Sequence, residues 1–307
     1  MPHENPNAKV RFLGGASPRR NLFGVLAYPE ALDGTDMEFT RFYMVKDGKW
    51  VHREFESDVV SVCYFSVGND RGWWLLGKRG DVTSITASGH STDSIPTAGT
   101  GPGKLGYVKK IRVIGDAMYA AGYRRQVYRR TEGQSQWTPI SGPIHADRKR
   151  VGFVFNDIDG TSEQDIYAVG NRGEIFHFDG TSWIQIESPT NVHLESVACF
   201  DKHAVVAGRN GVILLGDVHG FNAVGPAMPD LNFWDACVFS GRVFVVASRG
   251  VFEMRLTGDH DLIASPFPPH VGYKLGANEE VLYSFGTHQV FCYDGSSVAE
   301  LICPDNS

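Results

Sequence analysis

Cysteine is scarce, and the few present are badly placed for chemistry. There are five, at positions 63, 199, 237, 292 and 303. The odd count and wide spacing leave no CxxC pair to hold zinc or cycle a disulfide, and suit a reducing cytoplasm. The eleven histidines never fall into His-x-x-x-His or His-Glu-x-x-His spacing, which argues against a local metal site. No stretch approaches eighteen uninterrupted apolar residues. The start, Met1 to Asn7, has no basic segment ahead of an apolar run. A soluble protein that is not exported is therefore expected, with residues 1–8 flexible.

Catalytic motifs are missing too. There is no Gly-x-Ser-x-Gly elbow and no phosphate-binding loop. The glycine-rich stretch from Gly99 to Lys104 is interrupted by Pro102 and lacks a strand-to-helix context, so it reads as a flexible connection. No catalytic residue, cofactor or metal is assigned. A carboxylate pair brought together from distant segments stays open.

What is present is a folded composition: 307 residues, 42% hydrophobic and 12% aromatic, ample for a large core. The formal charge of −6 weakly favours a basic partner through steering and disfavours nucleic acid.

The most informative stretch runs from Asp165 to Ile186. Ile166 to Val169 is a β-rich run, and Asn171-Arg172-Gly173 tolerates positive φ. Glu174 to Phe178 alternates polar and apolar residues, Asp179-Gly180 makes a second hairpin, and Trp183 opens a third strand. The same grammar recurs around Gly77, Gly122, Gly208, Ser248 and Gly286. Only its second half, Phe42 to Trp50, is visible near the N-terminus. Steps of 45, 48, 38, 40 and 38 residues between these markers average about 42, the period of propeller blades.

Fourth strands precede the repeats at Val59 to Phe65, His193 to Phe200 and Phe233 to Phe239. The stretch from Ser297 through Cys303 to Pro304 supplies an outermost strand and Lys9 to Gly14 an innermost one. The expected fold is all-β: a single closed β-propeller over 1–307 with seven four-stranded blades, closed because single blades leave faces and edges bare.

The pattern Ala168-Val169-Gly170, Gly173, Asp179-Gly180, Trp183 resembles bacterial propeller repeats related to the WD40, BNR and YVTN-like superfamilies. The resemblance runs from about Arg41 to the end. It implies fold more than function, since such rings serve as enzymes, lectins and docking platforms. The sialidase box Ser-x-Asp-x-Gly-x-x-Trp is intact in no repeat.

Cations recur at the turn between the second and third strands of successive repeats: Lys78 and Arg79, Arg124 and Arg125, Arg172, Arg209 and Arg249. His288 holds the comparable place in the last. Ring closure sets them on one face, where guanidinium groups can grip carboxylates or phosphates. The blander alternative is that exposed turns are often charged. With Trp74 and Trp234 as aromatic anchors, these residues form the candidate partner-binding face.

A second basic group comprises Lys109, Lys110, Arg112, Arg129, Arg130, Arg148, Lys149 and Arg150, near Tyr107, Tyr123 and Tyr128. It has the mixture that binds single strands, diluted by Asp147. Trp50, Trp137 and Trp183 read as wedges between blades. The acidic runs at Glu30 to Glu38, Asp157 to Asp159 and Asp259 to Asp261 read as solvated connections. Cys63, Cys199 and Cys237 read as small buried residues of the inner strands.

The expectation is a non-enzymatic, protein-binding propeller, monomeric by itself and cytoplasmic. By analogy with small stand-alone bacterial propellers, it is expected to be an immunity protein that neutralises a cationic toxin domain such as a nuclease. The alternative is a carbohydrate-binding or glycoside-hydrolysing propeller, against which the missing export signal weighs.

Overall fold

The structure, a computed structural model, describes residues 9–68, 70–95, 101–146, 152–226, 228–256 and 260–307. Among them, seven antiparallel sheets of four strands follow one another along the chain, each built from consecutive strands. The first strand of each sheet is innermost. In chain order these are Val10–Arg19, Val59–Val67, Val108–Ile114, Phe155–Ser162, Leu194–Phe200, Phe233–Phe239 and Gly272–Ala277. Each touches the next, and that of blade 7 touches that of blade 1, so the ring closes into a seven-bladed propeller.

The second strands show why this sequence needs a ring. Ala117–Gly122 is buried at every position, and so is Arg242–Ala247 after its first residue. A strand buried on both faces needs a neighbour on each side, and only the adjoining blades supply one. The cores accordingly lie between blades: Trp74, Leu76 and Val82 of blade 2 pack with Met118, Ala120 and Tyr128 of blade 3. Trp137, 2% exposed, sits in that seam. Trp183 sits in the next, its indole N–H donating to the carbonyl of Ile140 at 3.1 Å. Trp50 packs edge-on to Phe23 and Tyr43 where blades 1 and 7 meet.

The innermost strand expected at Lys9 to Gly14 is present within Val10–Arg19, and with Leu22–Pro29 it completes the first blade. Two sequence expectations are revised. Pro102–Leu105 forms a short helical turn rather than a loose connection, while 99–100 lie outside the described residues. In blade 6 the register pairs Phe233 with Ala247, so Ala247, not Ser248, holds the place that glycine takes in blades 2, 3, 4, 5 and 7.

No sheet contains strands from both termini. The C-terminal turn Pro304–Asn306 instead latches onto blade 1. Asn306 bonds to the backbone of Val10, and Asp305 pairs with Arg41 and bonds to Tyr43.

Candidate functional site

In all seven blades the innermost strand slips register by one residue near its start. The unpaired residues are Leu13, Val60, Lys109, Asn156, Glu195, Trp234 and Tyr273. A β-bulge re-aims a side chain without ending the strand. Repeated seven times, it makes a ring of side chains around the axis, and all seven line one cavity of about 680 Å³. The bulge explains the marker glycines. A Cβ at Gly170 would stand 1.9 Å from the carbonyl oxygen of Val154, and one at Gly122 2.4 Å from that of Tyr107.

Each first strand begins opposite the end of the second strand, as Val59 does opposite Gly77. The bulges, the turns joining second to third strands, and the loops leading into each blade therefore share one end of the channel, the entry face. Its rim is two-sided. Blades 6, 7, 1 and 2 contribute Trp234, Tyr273, Leu13 and Val60, the last three 37, 41 and 39% exposed. Blades 3 to 5 contribute Lys109, Asn156 and Glu195.

One residue further in, a polar belt ties blades together. Asp157, 1% exposed, accepts from the Val197 N–H at 3.2 Å and pairs with Lys110 at 3.3 Å and Arg112 at 3.4 Å. The Ser196 hydroxyl lies 2.8 Å from Asp157 Oδ2 and 2.7 Å from Asp235 Oδ1. Asp235 in turn accepts from the Leu275 N–H at 3.0 Å. Below it, Asp159 accepts from the Cys199 N–H and stands 3.6 Å from Arg112.

Burial opposes the charge on Asp157, yet Lys110, Arg112 and Lys274 together hold its carboxyl well below the usual range. Asp159 is pushed up, chiefly by burial, with Arg112 only partly offsetting it. Burial also pushes the ammoniums of Lys109 and Lys110 down. The thiols of Cys63, Cys199 and Cys237 are pushed up, again mainly by burial. A protonated thiol is a poor nucleophile, so these cavity-lining cysteines are inert packing.

The turn cations all lie on the entry face but outside the bulge ring, and most are neutralised by the protein itself. Lys78 bonds to Glu38 and Asp58, and Arg79 to Glu38. Arg209 pairs with Glu195 at 2.7 Å, and His288 with Glu30 at 2.6 Å. Arg125 binds Glu174 and lies 4.5 Å from the ring of Phe153. Arg172 stands over the same ring. Arg124 carries a positive φ of 58° and a buried guanidinium nitrogen without a hydrogen bond. Arg249 is exposed and makes no ion pair among the described residues.

Trp74 is 5% exposed, donates to the Phe65 carbonyl and lies under Arg130 in the seam between blades 2 and 3, so it offers no face to a partner. Trp234 is half-buried on the bulge ring, 6.0 Å from Arg209.

The second basic group is split by the fold. Lys109, Lys110 and Arg112 enter the channel, Arg129 pairs with Glu163 and Arg130 with Asp93, and 148–150 lie outside the described residues. Asp157 to Asp159 is not a solvated connection but part of the innermost strand of blade 4. Among the described residues no three His, Cys, Asp or Glu side chains converge as metal ligands, and no helix is long and apolar enough to cross a membrane.

No family model matches the chain. Over 227 residues, covering 72% of this chain and 72% of the relative, it is 30% identical to the immune protein Tsi7 of Pseudomonas aeruginosa. The chain belongs to the Tsi7 family of immune proteins.

Solved structures show the fold that this Tsi7 relative shares. YCF48 bound to a D1 peptide superimposes with a TM-score of 0.67 at 14% identity, over 97% of this chain and 93% of that one. The WD40 propeller domain of Doa1 gives 0.66 at 13% identity, over 95% and 92%.

Proposed function

We propose that this chain neutralises a bacterial toxin by binding it, with no chemistry of its own. The observation that carries this reading is the 30% identity to the immune protein Tsi7 across most of both chains. A closed ring suits the task. It holds loops and bulges from seven blades on one rigid face, so little order has to be gained on binding.

The net charge of −6 favours a cationic toxin domain, such as a nuclease, through long-range steering. We assign contact to the entry face, with Arg124, Arg172, Arg249 and Trp234 as the candidates not already neutralised by the protein's own carboxylates. Lys78, Arg79, Arg125, Arg209 and His288 act there by fixing the loops that the toxin meets. The complex forms in the cytoplasm, where such a toxin would reach nucleic acid. The carbohydrate alternative draws no support from the relationship to Tsi7.

The test is expression of the toxin encoded by the adjoining gene in a heterologous bacterium, with and without this chain. Restored growth, together with a stoichiometric complex that weakens with salt, supports neutralisation. Growth arrest unaffected by the chain, with no complex in vitro, overturns it.

A further inference from the structure

Exposed large apolar side chains are unevenly spread over the described residues. Leu13, Val60 and Tyr273 stand on the bulge ring. Tyr107, Tyr123 and Val271, 42 to 46% exposed, border it at the starts and ends of neighbouring strands. On the turns of the opposite face Val218 is the only such residue described. Solvent-exposed apolar surface gathered at one mouth marks an interaction site, and aromatic residues are the side chains that anchor protein contacts.

The charge at the same mouth is unbalanced. Lys110 rests on Asp157, and Arg209 on Glu195. Lys109 and Lys274 do not share this arrangement. Lys109 bonds to the amide oxygen of Asn156 at 2.6 Å and Lys274 to the carbonyl of Trp234 at 3.3 Å, with no carboxylate within 4.0 Å of either among the described residues. Both line the same cavity, where burial chiefly opposes the charge of Lys109, Glu195 supports it and Lys274 opposes it. On the same cavity wall the indole N–H of Trp234 is buried without a hydrogen-bond partner. Two ammoniums and an orphaned donor beside an apolar rim are complementary to one kind of group: an acceptor with negative charge, carried on an otherwise apolar segment.

We propose that the mouth receives a loop of the toxin that sets a carboxylate between Lys109 and Lys274 and a large apolar side chain against Leu13, Val60 and Tyr273. The proposal rests on the immunity reading and deepens it, because the two cations left without a carboxylate at the mouth have the sign opposite to that of the whole molecule. The overall negative charge draws a basic toxin in from a distance. The mouth then selects an acidic, apolar loop on it. A toxin that is basic throughout is attracted but not seated.

The experiment is calorimetric titration of the full chain with the purified, catalytically silenced toxin domain encoded by the adjoining gene. Lys109→Glu and Lys274→Glu should each weaken binding about 100-fold, and Tyr273→Ser about tenfold. Ile184→Ser, on an exposed outer strand, should leave it unchanged. Lys109→Gln and Lys274→Gln, which keep the length and lose the charge, guard against misfolding and should weaken binding less than the reversals do. Wild-type affinity in variants that melt like the wild type overturns the mouth as the seat while leaving the immunity reading standing. Absence of any complex with the wild-type chain overturns both.

Discussion

The side-chain amide of Asn306 pairs with both backbone groups of Val10, 296 residues earlier. Its Oδ1 accepts from the Val10 N–H at 2.9 Å and its Nδ2 donates to the Val10 carbonyl at 3.1 Å. An amide side chain is chemically a peptide unit, so Asn306 acts as one residue of an extra strand on the edge of blade 1. Propeller rings must resist opening at one seam, and this chain closes its seam without sharing strands. Next to it, Asp305 pairs with Arg41, whose side chain is only 7% exposed.

Asn306→Ala should therefore cost about 1–3 kcal/mol, because two partly buried backbone groups lose partners together. Ending the chain after Cys303 should cost more, since Arg41 then keeps only Glu54. Urea unfolding of both variants measures this. If the truncated chain unfolds at the wild-type midpoint, the strand packing between blades 7 and 1 closes the ring unaided.

Asp157 is the second point where the ring depends on one side chain. It is buried on blade 4 and satisfies Lys110 and Arg112 of blade 3 and Ser196 and the Val197 N–H of blade 5, tying three blades together. Removing one member of a buried charged group leaves the others unpaired, which costs about 3–5 kcal/mol. Asp157→Ala should lose that much in equilibrium unfolding, and Asp157→Asn less, since an amide oxygen still accepts bonds. Equal losses in the two variants would show that the shape of the side chain, not its charge, matters.

The seven-bladed ring was legible in the sequence because its turns need special residues, and the glycines repeat at blade spacing. The bulge ring was not legible, although its signal is there. Lys109, Glu195, Trp234 and Tyr273 each precede their marker, at Gly122, Gly208, Ala247 and Gly286, by thirteen residues. Counting back from the glycine finds the channel-facing position, but only once the glycine is understood as the partner of a bulge. The turn cations were found at once, because arginine is conspicuous at an exposed turn. Their carboxylate partners were not, because Glu38, Glu174 and Glu195 come from loops and strands up to 49 residues away. Asp157 was misread for a related reason. An Asp-Ile-Asp triplet looks solvated unless the cations of blade 3 are known to face it.

Among the turn cations, geometry separates those that hold the fold from those left to a partner. Arg125 is held by Glu174 and the Ile144 carbonyl and lies between the rings of Phe153 and Phe176. Arg125→Ala should lower the melting temperature clearly, with a loss of about 3 kcal/mol or more, because buried Glu174 is left unpaired. Arg249→Ala should leave stability within about 0.5 kcal/mol, as for other exposed positions. A calorimetric scan of the two proteins decides it. Equal melting temperatures would mean that the Arg125 cluster adds nothing.

His270 gives the ring a pH limit of its own. It is 7% exposed, with Nδ1 2.8 Å from the Pro268 carbonyl and Nε2 2.7 Å from the Ser284 hydroxyl. Satisfying both makes Nδ1 the donor and Nε2 an acceptor, which is the neutral ring. Burial pushes its pKa below the ordinary value of 6.5, only partly offset by the bond to Pro268. Burial shifts His145 the same way. As pH falls below about 6.5 the unfolded chain gains protons at these sites that the folded chain refuses, so unfolding is favoured. Stability should be full above that pH, decline as pH drops toward the folded-state values, and level off beneath them. Asp157, shifted down, loses its contribution only in more acidic solution, so the windows are separate. The urea midpoint should thus be lower at pH 5.5 than at pH 7.5, and His270→Gln should shrink that difference. An unchanged difference in His270→Gln would assign the pH sensitivity to other groups.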